Sequence, residues 1–138
     1  MPALGVSPAC ILTEAVAWTY NVDIDGRIPG GLAKHAWLIT RTVRGYHVFL
    51  DIWEPSPHRA LKRAWRIAKN GDRAHLIHAR KRIKAGELLD FAVVRLAGKY
   101  PNEDIEVVHY REPAEVDPRY VAGVLRILKN RYIEAGRG

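Results

Sequence analysis

Apolar and polar residues alternate from Val16 to Asp25, so an extended strand there places Val16, Trp18, Tyr20, Val22 and Ile24 on one face and Thr19, Asn21, Asp23 and Asp25 on the other. One face is core and the other is polar, ending in acid. The same period recurs from Gly45 to Trp53, with Tyr46, Val48, Leu50 and Ile52 opposed to His47, Phe49, Asp51 and Trp53. Between them, Gly26 to Gly31 carries three glycines and a proline and reads as a loop. Ala36 to Thr42 is an apolar strand that Val43-Arg44-Gly45 turns into the His47 strand, giving a hairpin.

Glu54 to Pro57 stops that strand, and Ser56 before Pro57 supplies an N-cap and a first helical residue. Arg59 to Lys69 predicts an amphipathic helix, basic on one side with Leu61, Ala64, Trp65 and Ala68 on the other. Asn70-Gly71-Asp72 breaks it, and Arg73 to Lys84 predicts a second short basic helix closed by Gly86. Leu88 to Leu96 and Ile105 to Tyr110 read as strands joined by the turn at Lys99 to Asn102, a second hairpin. Asp117-Pro118 opens the last helix, whose apolar positions Val121, Val124, Leu125, Leu128 and Tyr132 keep the helical spacing. Residues 1–13 give no more than a loosely ordered tail or a short edge strand. The expected order, β-β-β-α-α-β-β-α, is one α+β domain over residues 1–138, with helices packed on one face of a sheet.

Composition narrows the function classes. At 138 residues and 48% hydrophobic, the chain suits a single core. It contains neither the ~20 consecutive apolar residues of a membrane span nor a secretory leader at its start, which predicts a cytoplasmic protein. The lone Cys10 excludes an internal disulfide framework and a cysteine-rich zinc site. No glutamine, one methionine and many arginines suit a thermophile. No phosphate-binding glycine loop, dinucleotide fingerprint, Ser-His-Asp pattern or zinc-finger spacing is present.

The net charge of +7 changes the picture once it is located. Residues 58–84 hold ten Lys or Arg against the single acid Asp72, a net of +9, while the rest of the chain sums to −2. Surfaces usually interleave both signs; a one-signed segment is the footprint expected of a polyanion-binding face. Arg59, Lys62, Arg63, Arg66, Lys69, Arg73, Arg80, Lys81 and Arg82 are the candidate nucleic-acid contacts. His75 and His78, one helical turn apart beside Arg80 to Arg82, suit phosphate contact or plain surface better than a metal. Phe49, Trp53 and Trp65 are possible stacking surfaces as well as core.

Asp23 and Asp25, two apart on a strand, put their Cα atoms roughly 6.5–7 Å apart, close enough to converge on a divalent cation. His47 follows Arg41 and Arg44, and an imidazole beside two guanidinium groups suits a phosphate.

The Val22-Asp23-Ile24-Asp25 strand followed by Arg44-Gly45-Tyr46-His47-Val48-Phe49 resembles the first two motifs of the archaeo-eukaryotic primase superfamily, the primase and primase-polymerase catalytic domains. Those motifs are an hDhD strand and a G-x-H strand, with a third acid on a later strand. The resemblance covers residues 16–51 and, more loosely, Asp90. It implies an RRM-like (ferredoxin-like) sheet, with Asp23 and Asp25 as catalytic ligands of Mg2+ or Mn2+, Asp90 as a third metal ligand and His47 as the contact to nucleotide phosphates. The zinc-binding cysteines of many members are absent. The expected function is a nucleic-acid-binding protein resembling a minimal primase-polymerase domain, with metal-dependent nucleotidyl transfer in replication. The alternatives are a non-catalytic RNA- or DNA-binding module with a relict acidic site, and a metal-dependent nuclease. The sequence leaves open DNA against RNA, nucleotides as ligands, and association with a protein partner or a second copy.

Overall fold

The computed structural model describes residues 4–11, 16–42, 44–68, 73–86, 94–97 and 106–137. In chain order the elements are β1 (Leu4–Val6), β2 (Ala9–Ile11), β3 (Val16–Trp18), β4 (Asn21–Asp25), β5 (Ala36–Arg41), β6 (Gly45–Leu50), α1 (Pro57–Ile67), α2 (Arg73–Lys84), β7 (Val94–Ala97), β8 (Glu106–Tyr110) and α3 (Pro118–Arg137), with a 3-10 turn at Ala33–His35. The class is α+β. The main sheet has the order β4-β6-β5-β8, every neighbouring pair antiparallel, and β1-β7 and β2-β3 form two small antiparallel pairs.

The strand expected over residues 16–25 is divided at Thr19–Tyr20. Trp18 exchanges two 2.8 Å backbone hydrogen bonds with Glu54, and the Thr19 amide turns instead to the Pro8 carbonyl at 2.8 Å. The Thr19 hydroxyl donates to the Leu50 carbonyl at 2.9 Å, so the chain still runs beside β6 and its extension. The alternation therefore survives the break: Trp18, Tyr20, Val22 and Ile24 all enter one core cluster.

That cluster lies between one sheet face and α1 and α2, and includes Val48, Leu50, Ala60, Leu61, Ala64, Leu76, Ala79 and Ile83. A second cluster joins Trp37, Leu38 and Phe49 to Tyr120, Val121, Val124 and Leu128 of α3. Successive residues Val48 and Phe49 point to opposite faces, so α3 covers the face that α1 and α2 do not. This corrects the expectation of helices on one face. The physical reason is in β5, where Ala36 to Thr40 are all buried without alternation. A strand apolar on both sides demands cover on both. Each large apolar side chain buried from α3 contributes about 2 kcal/mol relative to exposure.

The β5–β6 hairpin forms as predicted; the Thr42 amide donates to the Gly45 carbonyl at 2.7 Å. Gly45 is required there by close approach, since a Cβ would lie 1.9 Å from the Ile24 carbonyl oxygen in β4. Among the described residues the two strands of the second predicted hairpin do not pair with each other, and its turn at Lys99 to Asn102 lies outside the described residues. β8 instead pairs with the outer edge of β5, and β7 pairs with β1, so the stretch before residue 13 contributes two strands. Residues 88–93, the first part of that expected strand, lie outside the described residues.

Candidate functional site

The β4–β6 register places Asp23 directly opposite His47, and the β5–β6 register places Thr40 on the other side of His47. Asp23, His47 and Thr40 thus form one row across the sheet, on the face that α3 covers further along at Asn21, Phe49 and Leu38. His47 Nε2 lies 3.6 Å from Asp23 Oδ1, with the histidine buried and the carboxylate half exposed. Asp25 follows on the same face by strand alternation, opposite Gly45, and is exposed. The row is continuous with buried polar groups. Asn21 donates through Nδ2 to the Tyr120 hydroxyl at 3.2 Å, and that hydroxyl donates to the Ser7 carbonyl at 2.6 Å. Asn21 Oδ1, Thr40 Oγ1 and Trp37 Nε1 are buried without a hydrogen-bond partner among the described residues.

The arginines expected beside His47 are placed elsewhere. Arg41 pairs in register with Tyr46, so it belongs to the opposite face of the hairpin. There its guanidinium lies 5.7 Å from the Tyr46 ring centroid and 3.7 Å from Glu106. The sheet thereby separates Arg41 from the Asp23–His47 row. Arg44 is exposed in the hairpin turn, where its carbonyl accepts from the Gly26 amide at 3.0 Å. Asp90 lies outside the described residues. Among the described residues no group of three or more His, Cys, Asp or Glu gathers in a metal-ligating cluster. Asp23 and Asp25 offer carboxylate oxygens suited to a hard cation, as two members of a ligand set.

Asp51, the other carboxylate of that face, has a different role. Its oxygens accept from the amides of Ala114 at 2.8 Å, Glu115 at 2.9 Å and Val116 at 3.2 Å, and from Arg111 at 2.8 Å. Burial pushes its carboxyl up, but the three amides and the guanidinium outweigh that and hold it below the usual carboxylate range. It anchors the segment that leads into α3.

The cations gather on the other side of the molecule. Ser56 caps α1 by accepting from the Arg59 amide at 3.2 Å, with Pro57 at the first turn, as the sequence predicts. The buried positions Ala60, Leu61 and Ala64 then fix the phase, so His58, Arg59, Lys62 and Arg66 are exposed. In α2, Leu76, Ala79 and Ile83 are buried, leaving Arg80, Lys81 and Lys84 outward and Arg82 half buried. Arg63 departs from its expected role. It makes a two-pronged pair with Glu115 at 2.7 and 2.8 Å and a 3.1 Å bond to Glu54, which ties α1 to the segment preceding α3. Lys69 lies outside the described residues, and Arg73 is described only as the first residue of α2.

Two depressions flank the ridge made by Lys62 and Arg66. One, of about 360 Å³, is lined by Leu61 and Trp65 and rimmed by His58, Lys62, Arg66, Arg80 and Lys84. The other, of about 280 Å³, is lined by Arg59, Lys62, Arg63, Arg66 and Glu54. The Arg80 guanidinium lies over the Trp65 ring, 5.5 Å from its centroid. Sequence reasoning named Trp65 as core or stacking surface; its position at i+4 from Leu61 was the signal for a groove floor. The burial of Thr40 beside His47 in the strand register, and the Asn21 bond to Tyr120, have no signal in the sequence pattern. Comparison with protein-family models, curated proteins and solved structures found no match to this chain.

Proposed function

We propose that this protein is a nucleic-acid-binding module whose contact surface is the outer face of α1 and α2. The observation that carries this reading is the one-signed surface: Arg59, Lys62, Arg66, Arg80, Lys81 and Lys84 are all exposed on two packed helices. Residues 58–84 contain one acid, Asp72, to neutralise them. Phosphates are the natural counter-charge for such an array, and their neutralisation releases condensed counterions. A cytoplasmic setting belongs to the same reading; among the described residues no helix is long and apolar enough to cross a membrane.

The test is a salt titration of oligonucleotide binding, followed by fluorescence anisotropy. A variant with Arg59, Lys62, Arg66 and Lys81 replaced by alanine keeps the buried face of both helices and the Arg63 pairs. It is expected to bind more weakly, with the log-affinity against log-salt slope flatter by about 0.7–0.9 for every phosphate left unneutralised. An unchanged slope would sink the proposal.

A second reading, metal-dependent nucleotidyl transfer of the primase-polymerase kind, is favoured by one observation. Asp23 and His47 stand opposite one another on adjacent strands, beside Asp25 and the buried Thr40 hydroxyl, which has no hydrogen-bond partner among the described residues. Asp23 and Asp25 would hold Mg2+ or Mn2+, which supplies charge stabilisation to a transferring phosphoryl group. Within this reading an RRM-like sheet is supported by four antiparallel strands with two helices between β6 and β8. The strand order and the lack of a regular helix between β4 and β5 depart from it. Calorimetric titration with Mn2+ checks it. Wild-type protein should take up the ion with nucleotide present, and the Asp23→Asn, Asp25→Asn variant should not.

A further inference from the structure

We infer that the cationic face is built for single-stranded nucleic acid, with one unstacked base seated in the Leu61–Trp65 groove and the adjoining phosphate in the trough of Arg59, Lys62 and Arg66. This rests on the nucleic-acid reading above and adds the form of the ligand.

The two depressions differ in chemistry but share a wall. The larger has an apolar floor of Leu61 and Trp65 inside a cationic rim. At about 360 Å³ it falls at the small end of ligand pockets, which run from about 300 to 1,000 Å³. The smaller is lined by the side chains of Arg59, Lys62, Arg63 and Arg66, stems as well as charged ends, and Arg63 already holds its single carboxylate, Glu54. Lys62 and Arg66 line both. A nucleotide unit has this same division: a planar apolar-faced base joined to an anion one sugar away. Duplex DNA or RNA would use only the trough, because its bases are already stacked on each other. An acidic peptide would match the charge and leave the apolar floor without a planar partner.

Arg80 supports the same occupant. Its guanidinium lies over the Trp65 ring, 5.5 Å from the centroid, so this ring face is turned to the cationic rim and is covered only by a side chain that can swing away. A base entering the groove takes that face, and Arg80 gives way to it within the cationic rim it shares with Lys84. Stacking of a base on an aromatic side chain changes affinity by about ten- to a hundredfold, and it is insensitive to base identity. The site should therefore prefer single strands without reading their sequence.

The test compares three labelled 12-nucleotide probes at one salt concentration: oligo-dT, a hairpin duplex with the same number of phosphates, and an abasic strand that keeps every phosphate and lacks every base. Wild-type protein is expected to bind oligo-dT at least about tenfold more tightly than either of the others. Trp65→Leu, which keeps the groove apolar, should lose that preference and leave duplex binding and the salt slope unchanged. The abasic probe needs no variant, so the test holds even if Trp65→Leu fails to fold. Equal binding of all three probes by wild-type protein overturns this inference while the nucleic-acid reading stands. Binding of none of them, or tighter binding of poly-glutamate, overturns both.

Discussion

The two faces of the main sheet treat polar groups in opposite ways. Apart from the tyrosines and tryptophans, Tyr20 and Trp18 among them, the buried side chains with polar groups among the described residues, Thr19, Asn21, Thr40, His47 and Asp51, belong to the α3 side by strand phase. Among the same residues, the α1–α2 side buries apolar groups with Trp18 and Tyr20, and sends its charge outward. Polar groups withdrawn from water must be satisfied or they cost free energy, so the α3 side is where single substitutions should damage the fold. Exposed cations cost the fold little, so the α1–α2 side is where substitutions should change binding and leave stability almost untouched.

The largest loss is expected at Asp51. Replacing it with alanine strands three amides and Arg111 and should cost about 3 kcal/mol, read from denaturant unfolding. Because its carboxyl titrates below the ordinary value in the fold, its contribution is present above the unfolded value near pH 4 and fades as pH falls through the folded one. Wild-type stability should therefore decline below about pH 4 with a component that Asp51→Ala lacks. A variant as stable as wild type would break the contrast between the faces.

A smaller loss, about 2 kcal/mol, is expected for Tyr120→Phe, which removes the bond to the Ser7 carbonyl and the acceptor for Asn21. Burial pushes this phenol well above its usual value, so the folded state disfavours ionisation and stability should fall as pH rises past about 10. Differential scanning calorimetry against pH separates this alkaline loss from the acid loss at Asp51. Asp23→Asn should change stability by less than about 1 kcal/mol, since half-exposed pairs with histidine at 3.6 Å contribute little. The four-alanine variant of α1 and α2 should be the smallest of all in stability, within about 0.5 kcal/mol of wild type, despite its effect on binding.

Much of this was legible in the chain. The alternation of residues 16–25 and 45–53 set out both strand faces, because a two-residue period leaves no choice of side, and the approach of Asp23 to His47 followed once β4 and β6 paired. The Ser56-Pro57 cap and the spacing of Val121, Val124 and Leu128 likewise fixed the helices that now carry them. The failures have a common cause. Ala36 to Ile39 is apolar at every position and has no period to read, so the second buried face and the placement of α3 upon it were hidden. Arg41 is near His47 in sequence, yet the register pairs it with Tyr46 on the other face. Arg63 is committed to Glu115, 52 residues away, a pairing that a count of charges does not register.

Amide chemical-shift mapping of the isotope-labelled protein during titration with oligo-dT tests the central claim most directly, because it reports which of the two regions the ligand touches. The account predicts the largest shifts in His58 to Arg66 and Leu76 to Lys84, with Asp23 and His47 unmoved. Shifts confined to the β4–β6 row around Asp23, Asp25 and His47, with α1 and α2 silent, would contradict it.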